Sequence, residues 1–183
     1  MDTWIALLKG VNVGGKNKLP MSALATEMAA IGLSDVKTYI QSGNVIFRAR
    51  NITKTTLEAK ISSAIEAKFG FKIHVKVISC IDLVSAAAVN PFPEAINELN
   101  GKTLHLFFLA KTPETVDVAR LEKVKYISEH WQIKGDVFYL HTPEGFGNSK
   151  LATQVEKILG VTATARNWNT VCALIEIAGA SAK

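Results

Sequence analysis

Trp4-Ile5-Ala6-Leu7-Leu8 carries no polar side chain. Successive strand residues point to opposite faces of a sheet, so such a run needs cover on both sides. Leu104 to Leu109 repeats the feature in the second half of the chain, with apolar residues on both faces. A fold containing these strands has to bury two sheet faces in each half. The helices of each half can cover one of them, and the two halves burying each other would cover the remainder.

The periodicity between and after these strands gives the order. Met21, Leu24, Met28 and Ile31 form a helical stripe closed by Gly32. Val36 to Ile40 and Val45 to Phe47 read as strands joined by hairpin chemistry at Gln41-Ser42-Gly43-Asn44. Thr55 and Glu58 have capping-box spacing ahead of a helix bearing Leu57, Ile61, Ile65 and Phe69, which ends at Gly70. Phe71 to Val77 alternates as a half-exposed strand. A helix from Cys80 to Val89, with Ser79 and Asp82 as its cap, stops before Asn90-Pro91-Phe92-Pro93.

The second half repeats the plan. After the Leu104–Leu109 strand, Thr112-Pro113-Glu114 is a helix start. A strand is expected within Tyr126–Ile133, then a turn at Lys134-Gly135-Asp136 and a strand over Val137–His141. A helix carrying Leu151, Val155, Ile158 and Leu159 closes at Gly160, and Val161 to Ala165 is the last strand. Val171, Leu174, Ile175 and Ala178 fit a terminal helix capped by Asn167 or Asn169. The expected class is α+β: tandem ferredoxin-like βαββαβ halves with mainly antiparallel sheets, plus a C-terminal helix. The expected division is a first unit over residues 1–79, a helical connector over 80–101, and a second unit with the terminal helix over 102–183.

Composition narrows the function classes. Of 183 residues, 48% are apolar and 20% charged, which suits a folded globular chain and not a disordered one. The net charge of +5 is mild, and no dense Lys/Arg stripe makes nucleic acid the default partner. Cys80 and Cys172 stand alone, with no CxxC, as in a reduced cytosolic protein. No apolar run reaches membrane-spanning length and no signal-peptide pattern opens the chain, so a cytoplasmic location without membrane contact is expected.

Four loops carry the candidate chemistry. Lys9-Gly10-Val11-Asn12-Val13-Gly14-Gly15-Lys16-Asn17-Lys18-Leu19-Pro20 lies between a strand and a helix. Its glycines let backbone amides approach a ligand and its lysines favour an anion. Gly10 and Gly15-Lys16 match most of a P-loop. However, Asn17 stands where a Ser or Thr would bind magnesium, and Leu19-Pro20 delays the helix. A looser anion-binding loop and a purely structural loop both remain. Ser149-Lys150 opens a helix, where free amides and the dipole suit an anion, although Ser149 or Asn148 as a simple cap explains the same residues. Arg166-Asn167-Trp168-Asn169 also precedes a helix and offers a phosphate grip and a stacking ring; Trp168 in the core under the Arg166 stem is the alternative. Gln41, Ser42 and Asn44 belong to a turn first and a site second.

No catalytic set assembles. His74, His105, His130 and His141 lack metal-ligand spacing, so neither a metal nor a cofactor is expected. His141 with Glu144 is a lone pair for proton transfer, and Cys80 and Cys172 read as buried thiols.

Several of these stretches resemble one family. Ala6 to Met21, Thr38 to Phe47, Asn90-Pro91-Phe92, Gly145 to Leu151 and Thr164 to Val171 together resemble the bacterial "domain of unknown function 1697" proteins. The resemblance spans nearly the whole chain, implies a cytoplasmic α+β protein, and carries no activity with it. The expected function is binding of a phosphate-bearing or other anionic ligand, either a small molecule or nucleic acid, through the Gly/Asn/Lys loops. Sheet-face RNA reading is disfavoured, because Asn44 and Ile46 occupy the third-strand positions where stacking rings would lie. An enzyme on a small anionic substrate and a structural or interaction module are the alternatives. The oligomeric state is left open.

Overall fold

A computed structural model describes residues 1–97 and 101–180. Its strands are β1 (Asp2–Leu8), β2 (Ser34–Tyr39), β3 (Asn44–Ala49), β4 (Val75–Ser79), β5 (Leu104–Leu109), β6 (His130–Lys134), β7 (Val137–His141) and β8 (Ala163–Asn167). Its α-helices are α1 (Met21–Ala30), α2 (Lys54–Phe69), α3 (Cys80–Ala88), α4 (Val118–Val124), α5 (Lys150–Leu159) and α6 (Trp168–Ala180). The chain divides into two compact units, Met1–Ser85 with Ala173–Lys183 and Ala86–Cys172.

In the first unit the sheet order is β2-β3-β1-β4, and every neighbour is antiparallel. Trp4, Ala6 and Leu8 of β1 join Val45, Phe47, Val75 and Val77 in one core with Leu24 and Met28 of α1 and Leu57, Ile61 and Ile65 of α2. The opposite face is also dry: Ile5, Leu7, Ile46 and Ile78 are all buried. The apolar Trp4–Leu8 stretch of β1 is therefore buried on both faces, as its sequence demands.

Two local expectations are corrected here. Thr53, not Thr55, caps α2 by accepting from the Thr56 amide. Glu58 is thereby released from a capping box, and its Oε1 instead accepts from the Val77 amide at 2.9 Å. The strand expected from Phe71 begins only at Val75 and is buried rather than half-exposed. Its partner β1 ends at Leu8, paired with Val75, and beyond it only the Lys9 amide reaches back, to the His74 carbonyl at 3.0 Å, where the ladder stops.

The second unit repeats the arrangement, with order β6-β7-β5-β8 and antiparallel pairing throughout. Phe107, Leu109, Phe138 and Leu140 pack with Leu121 of α4 and Leu151, Val155 and Ile158 of α5. Trp131 stacks on Phe138 with centroids 5.7 Å apart. On the other face Tyr139 donates its hydroxyl to the Ala86 carbonyl at 2.8 Å, and Lys134 donates to Val89. Both units match two ferredoxin-like halves, followed by the C-terminal α6.

Two element boundaries differ from expectation, and one open alternative is resolved. Thr112-Pro113-Glu114 stays outside helix, and α4 starts at Val118 with Asp117 Oδ1 accepting from the Arg120 amide. Residues 112, 114 and 115 are exposed and offer no apolar stripe, whereas Leu121 anchors the helix that does form. The last strand starts at Ala163, where pairing with Leu109 begins, and Val161 packs into the helical core instead. Of the two candidate caps for α6, Asn167 makes the bond, accepting from the Thr170 amide at 2.9 Å.

Candidate anion-binding cleft

The Gly/Lys loop of the first unit is held largely by its own asparagines. Asn12 Nδ2 donates to the carbonyls of Leu19 and Gln41 at 2.9 and 2.8 Å, and its Oδ1 accepts from the Leu19 amide at 2.8 Å. Asn17 Nδ2 donates to the Gly10 carbonyl at 3.0 Å. Val13-Gly14-Gly15-Lys16 closes a tight turn, with positive φ at both glycines as a type I′ turn requires. Val11 and Leu19 bury the base of the loop, while Val13, Gly14, Gly15, Lys16 and Lys18 stay exposed at its tip. Lys9 sits at the start of the loop, where its amide donates to the His74 carbonyl.

The Gln41–Asn44 turn is drawn against this loop. The Leu8 amide donates to the Gly43 carbonyl at 2.8 Å. A Cβ at Gly43 would stand 2.5 Å from Val11 Cγ2 and 2.7 Å from Leu8 Cβ, so only glycine fits there. Asn44 is fully buried and its Nδ2 donates to Tyr39 O and Ser42 Oγ. Ten expected site residues thus gather at one end of the first sheet: Lys9, Gly10, Asn12, Gly14, Gly15, Lys16, Asn17, Gln41, Ser42 and Asn44. The side chains of Asn12, Asn17 and Asn44 among them are engaged by the backbone they shape.

In the second unit, Ser149 is the N-cap of α5, buried, with its hydroxyl accepting from the Ala152 amide at 2.9 Å. Lys150, the first residue of α5, is exposed. It lines an open cleft of about 740 Å³ together with Asp117, Arg120, Lys123, Val124, Lys125, Tyr126 and Gln154. The local sequence explains this convergence. Leu121 faces the core with Val124 packed against it three residues on, so Arg120 and Lys123, also three apart, share the outward face of α4. Leu151 and Val155 bury the inner face of α5 and leave Lys150 and Gln154, four apart, on one outer stripe.

Four cations and one acid therefore line the cleft. Lys125 is occupied: its Nζ donates to the Glu129 carbonyl at 3.2 Å and lies 3.6 Å from Glu122. The side chains of Arg120, Lys123 and Lys150 have no acidic partner among the described residues. Four cations against the single carboxylate of Asp117 leave the cleft lining net positive, which favours an anion.

Arg166, Asn167, Trp168 and Asn169 do not line this cleft. Arg166 lies in β8 opposite Leu106, and burial pulls its guanidinium down to about 10. Its Nη1 donates to the Ala165 carbonyl. Asn167 is the α6 cap, and Gly101 packs so closely on Trp168 and Asn169 that a Cβ would stand 2.8 Å from Asn169 Oδ1. His141 is buried beside Phe92 and His130, while Glu144 accepts from the Ser128 hydroxyl at 2.7 Å. His105 stacks on Phe146 at 3.7 Å, and burial lowers its pKa to about 4. Among the described residues no three His, Cys, Asp or Glu side chains converge as a metal site. No described helix is long and apolar enough to cross a membrane.

A family model described as "Protein of unknown function (DUF1697)" matches residues 1–139. The chain belongs to this family. The match reaches from β1 into β7 and includes the Gly/Lys loop and α4. Among solved structures, a conserved bacterial protein, SP0830 from Streptococcus pneumoniae, has a TM-score of 0.72 at 24% identity. The alignment covers 97% of this chain and 98% of that one, so this DUF1697 chain shares its fold. No curated protein matches.

Of the cleft residues, sequence patterns singled out only Lys150. Arg120, Lys123, Lys125, Tyr126 and Gln154 escaped because they form no loop motif. The available signal was the polar face opposite Leu121, which reads equally well as an ordinary solvated helix surface.

Proposed function

We propose that the protein binds a phosphate-bearing or other anionic ligand, and that the second-unit cleft is where it does so. The observation that carries this reading is the convergence of Arg120, Lys123 and Lys150, without acidic partners among the described residues, on one concavity. Arg120 brings a planar fork suited to phosphate oxygens, and the two lysines act as mobile point charges. Lys16 and Lys18, at the tip of the Gly/Lys loop, form a second basic feature that the same titration can separate. A cytoplasmic location accompanies this reading, supported by the free thiols of Cys80 and Cys172.

The test is calorimetric titration of the full chain with pyrophosphate at low and physiological salt, using Lys150→Ala, Arg120→Ala and Lys16→Ala. Binding that survives physiological salt and is lost in the first two variants but kept in Lys16→Ala is expected. Loss only in Lys16→Ala would move the site to the Gly/Lys loop. Absence of any binding would refute the proposal and turn attention to an interaction module.

A further inference from the structure

We infer that the cleft ligand is a nucleoside phosphate, with its phosphates on Arg120, Lys123 and Lys150 and its base on Tyr126. This deepens the anion-binding reading and rests on it. A site for a bare oxyanion has no use for an aromatic wall, yet Tyr126, 36% exposed, lines this one. The next residue in the chain, Ile127, is also apolar and 96% exposed. An aromatic face beside a cluster of cations suits a ligand with a flat ring at one end and negative charge at the other.

The backbone that carries the ring is also fixed in advance. The Tyr126 amide donates to Glu129 Oε2 at 3.0 Å, and Glu129 is buried. Lys125 Nζ donates to the carbonyl of the same glutamate. The Lys125–Glu129 turn is therefore pinned from within, which lowers the ordering cost of a stacked base. Gln154 and Asp117, on the cleft wall, add an amide and a carboxylate that can meet the polar edge of a base or ribose hydroxyls. The volume of about 740 Å³ falls within the usual range for small-ligand sites.

Charge distribution favours a compact ligand over a strand. From Pro113 to Tyr126, the bases Arg120, Lys123 and Lys125 are balanced by the acids Glu114, Asp117 and Glu122. Lys111 is already paired with Glu114 at 2.9 Å. The cations are concentrated in the cleft and do not extend along this surface as a track for a polyanion.

The experiment is calorimetric titration of the full chain at about physiological salt with pyrophosphate, free nucleosides, the four common ribonucleoside diphosphates and a short single-stranded RNA. At least one nucleoside diphosphate is expected to bind about tenfold more tightly than pyrophosphate, the factor equivalent to 1.4 kcal/mol. Tyr126→Ala should erase that margin without changing pyrophosphate affinity, Tyr126→Phe should keep it, and Lys150→Ala should weaken both ligands. Equal affinity for pyrophosphate and every diphosphate, or equal loss of both in Tyr126→Ala, would overturn the base assignment and leave anion binding standing. RNA binding without mononucleotide binding would overturn it in favour of a strand. Failure of every phosphate compound would bring down both readings.

Discussion

Asn12 separates a ligand-binding loop from a self-supporting one. Its side chain makes three hydrogen bonds, to Leu19 O, Leu19 N and Gln41 O, all between 2.8 and 2.9 Å. Leu19 is 1% exposed, so water cannot readily replace the two bonds to its backbone. At a net 1 kcal/mol or so per bond, truncation costs about 3 kcal/mol. Asn12 also sits at φ 55, a left-handed conformation that asparagine tolerates and alanine resists by about 1 kcal/mol more. Asn12→Ala is therefore expected to destabilise by about 4 kcal/mol and Asn12→Gly, which relieves the backbone strain, by about 3 kcal/mol. Urea unfolding followed by circular dichroism measures both, with Lys16→Ala at the exposed tip expected to lie within about 0.5 kcal/mol of the parent. Asn12→Ala within about 1 kcal/mol of the parent would show that these bonds do not hold the loop, and would return Asn12 to the ligand-binding reading.

Gly43→Ala is expected to cost about 2–4 kcal/mol, since its Cβ meets the buried Leu8 and Val11 as well as a positive φ. Gly14→Ala, with the same sign of φ and open space around it, should cost only about 1 kcal/mol, and equal losses in urea unfolding would refute the steric account. Ser149→Ala should lose about 1 kcal/mol of stability by uncapping α5 and leave pyrophosphate affinity unchanged in the titration. His105 is held neutral by burial, with a pKa of about 4 against 6.5 in the unfolded chain, so the unfolded state takes up its proton first as pH falls. Its contribution is complete above pH 6.5 and declines by up to about 3 kcal/mol as pH drops to about 4. In His105→Phe the dependence of urea stability on pH over that interval should flatten.

Much of the fold is legible because local rules and burial agree along the chain. Trp4–Leu8 and Leu104–Leu109 announce buried strands, and Leu57-Ile61-Ile65 and Leu151-Val155-Ile158 announce helices that end at Gly70 and Gly160, both left-handed C-caps. Where local signals misled, a tertiary partner outbid them. Glu58 has capping-box spacing but spends its carboxylate on the Val77 amide of β4. Thr112-Pro113-Glu114 has a helix-start composition, but the only deep anchor nearby is Leu121, so the helix waits for Asp117.

The candidate site was less visible. Gly10, Gly14 and Gly15 do mark an exposed turn, but the sequence alone could not show that Asn12 and Asn17 point back into the loop that carries them. Lys150 was legible as a helix-start cation. Its cleft neighbours Arg120 and Lys123 were not, because a basic helix face looks the same whether it meets solvent or a concavity.

The residue pattern by itself determined the two βαββαβ series, the double-sided burial of their first strands and the helix ends at Gly70 and Gly160, since each follows from periodicity or from the backbone preference of a few adjacent residues. The tertiary structure alone decided which strands pair with which, that Gln41 and Gly43 lock onto the Gly/Lys loop, and that α4 and α5 bring Arg120, Lys123, Tyr126 and Lys150 to one cleft. Those outcomes depend on groups far apart in the chain meeting in space, and no local propensity encodes such a meeting.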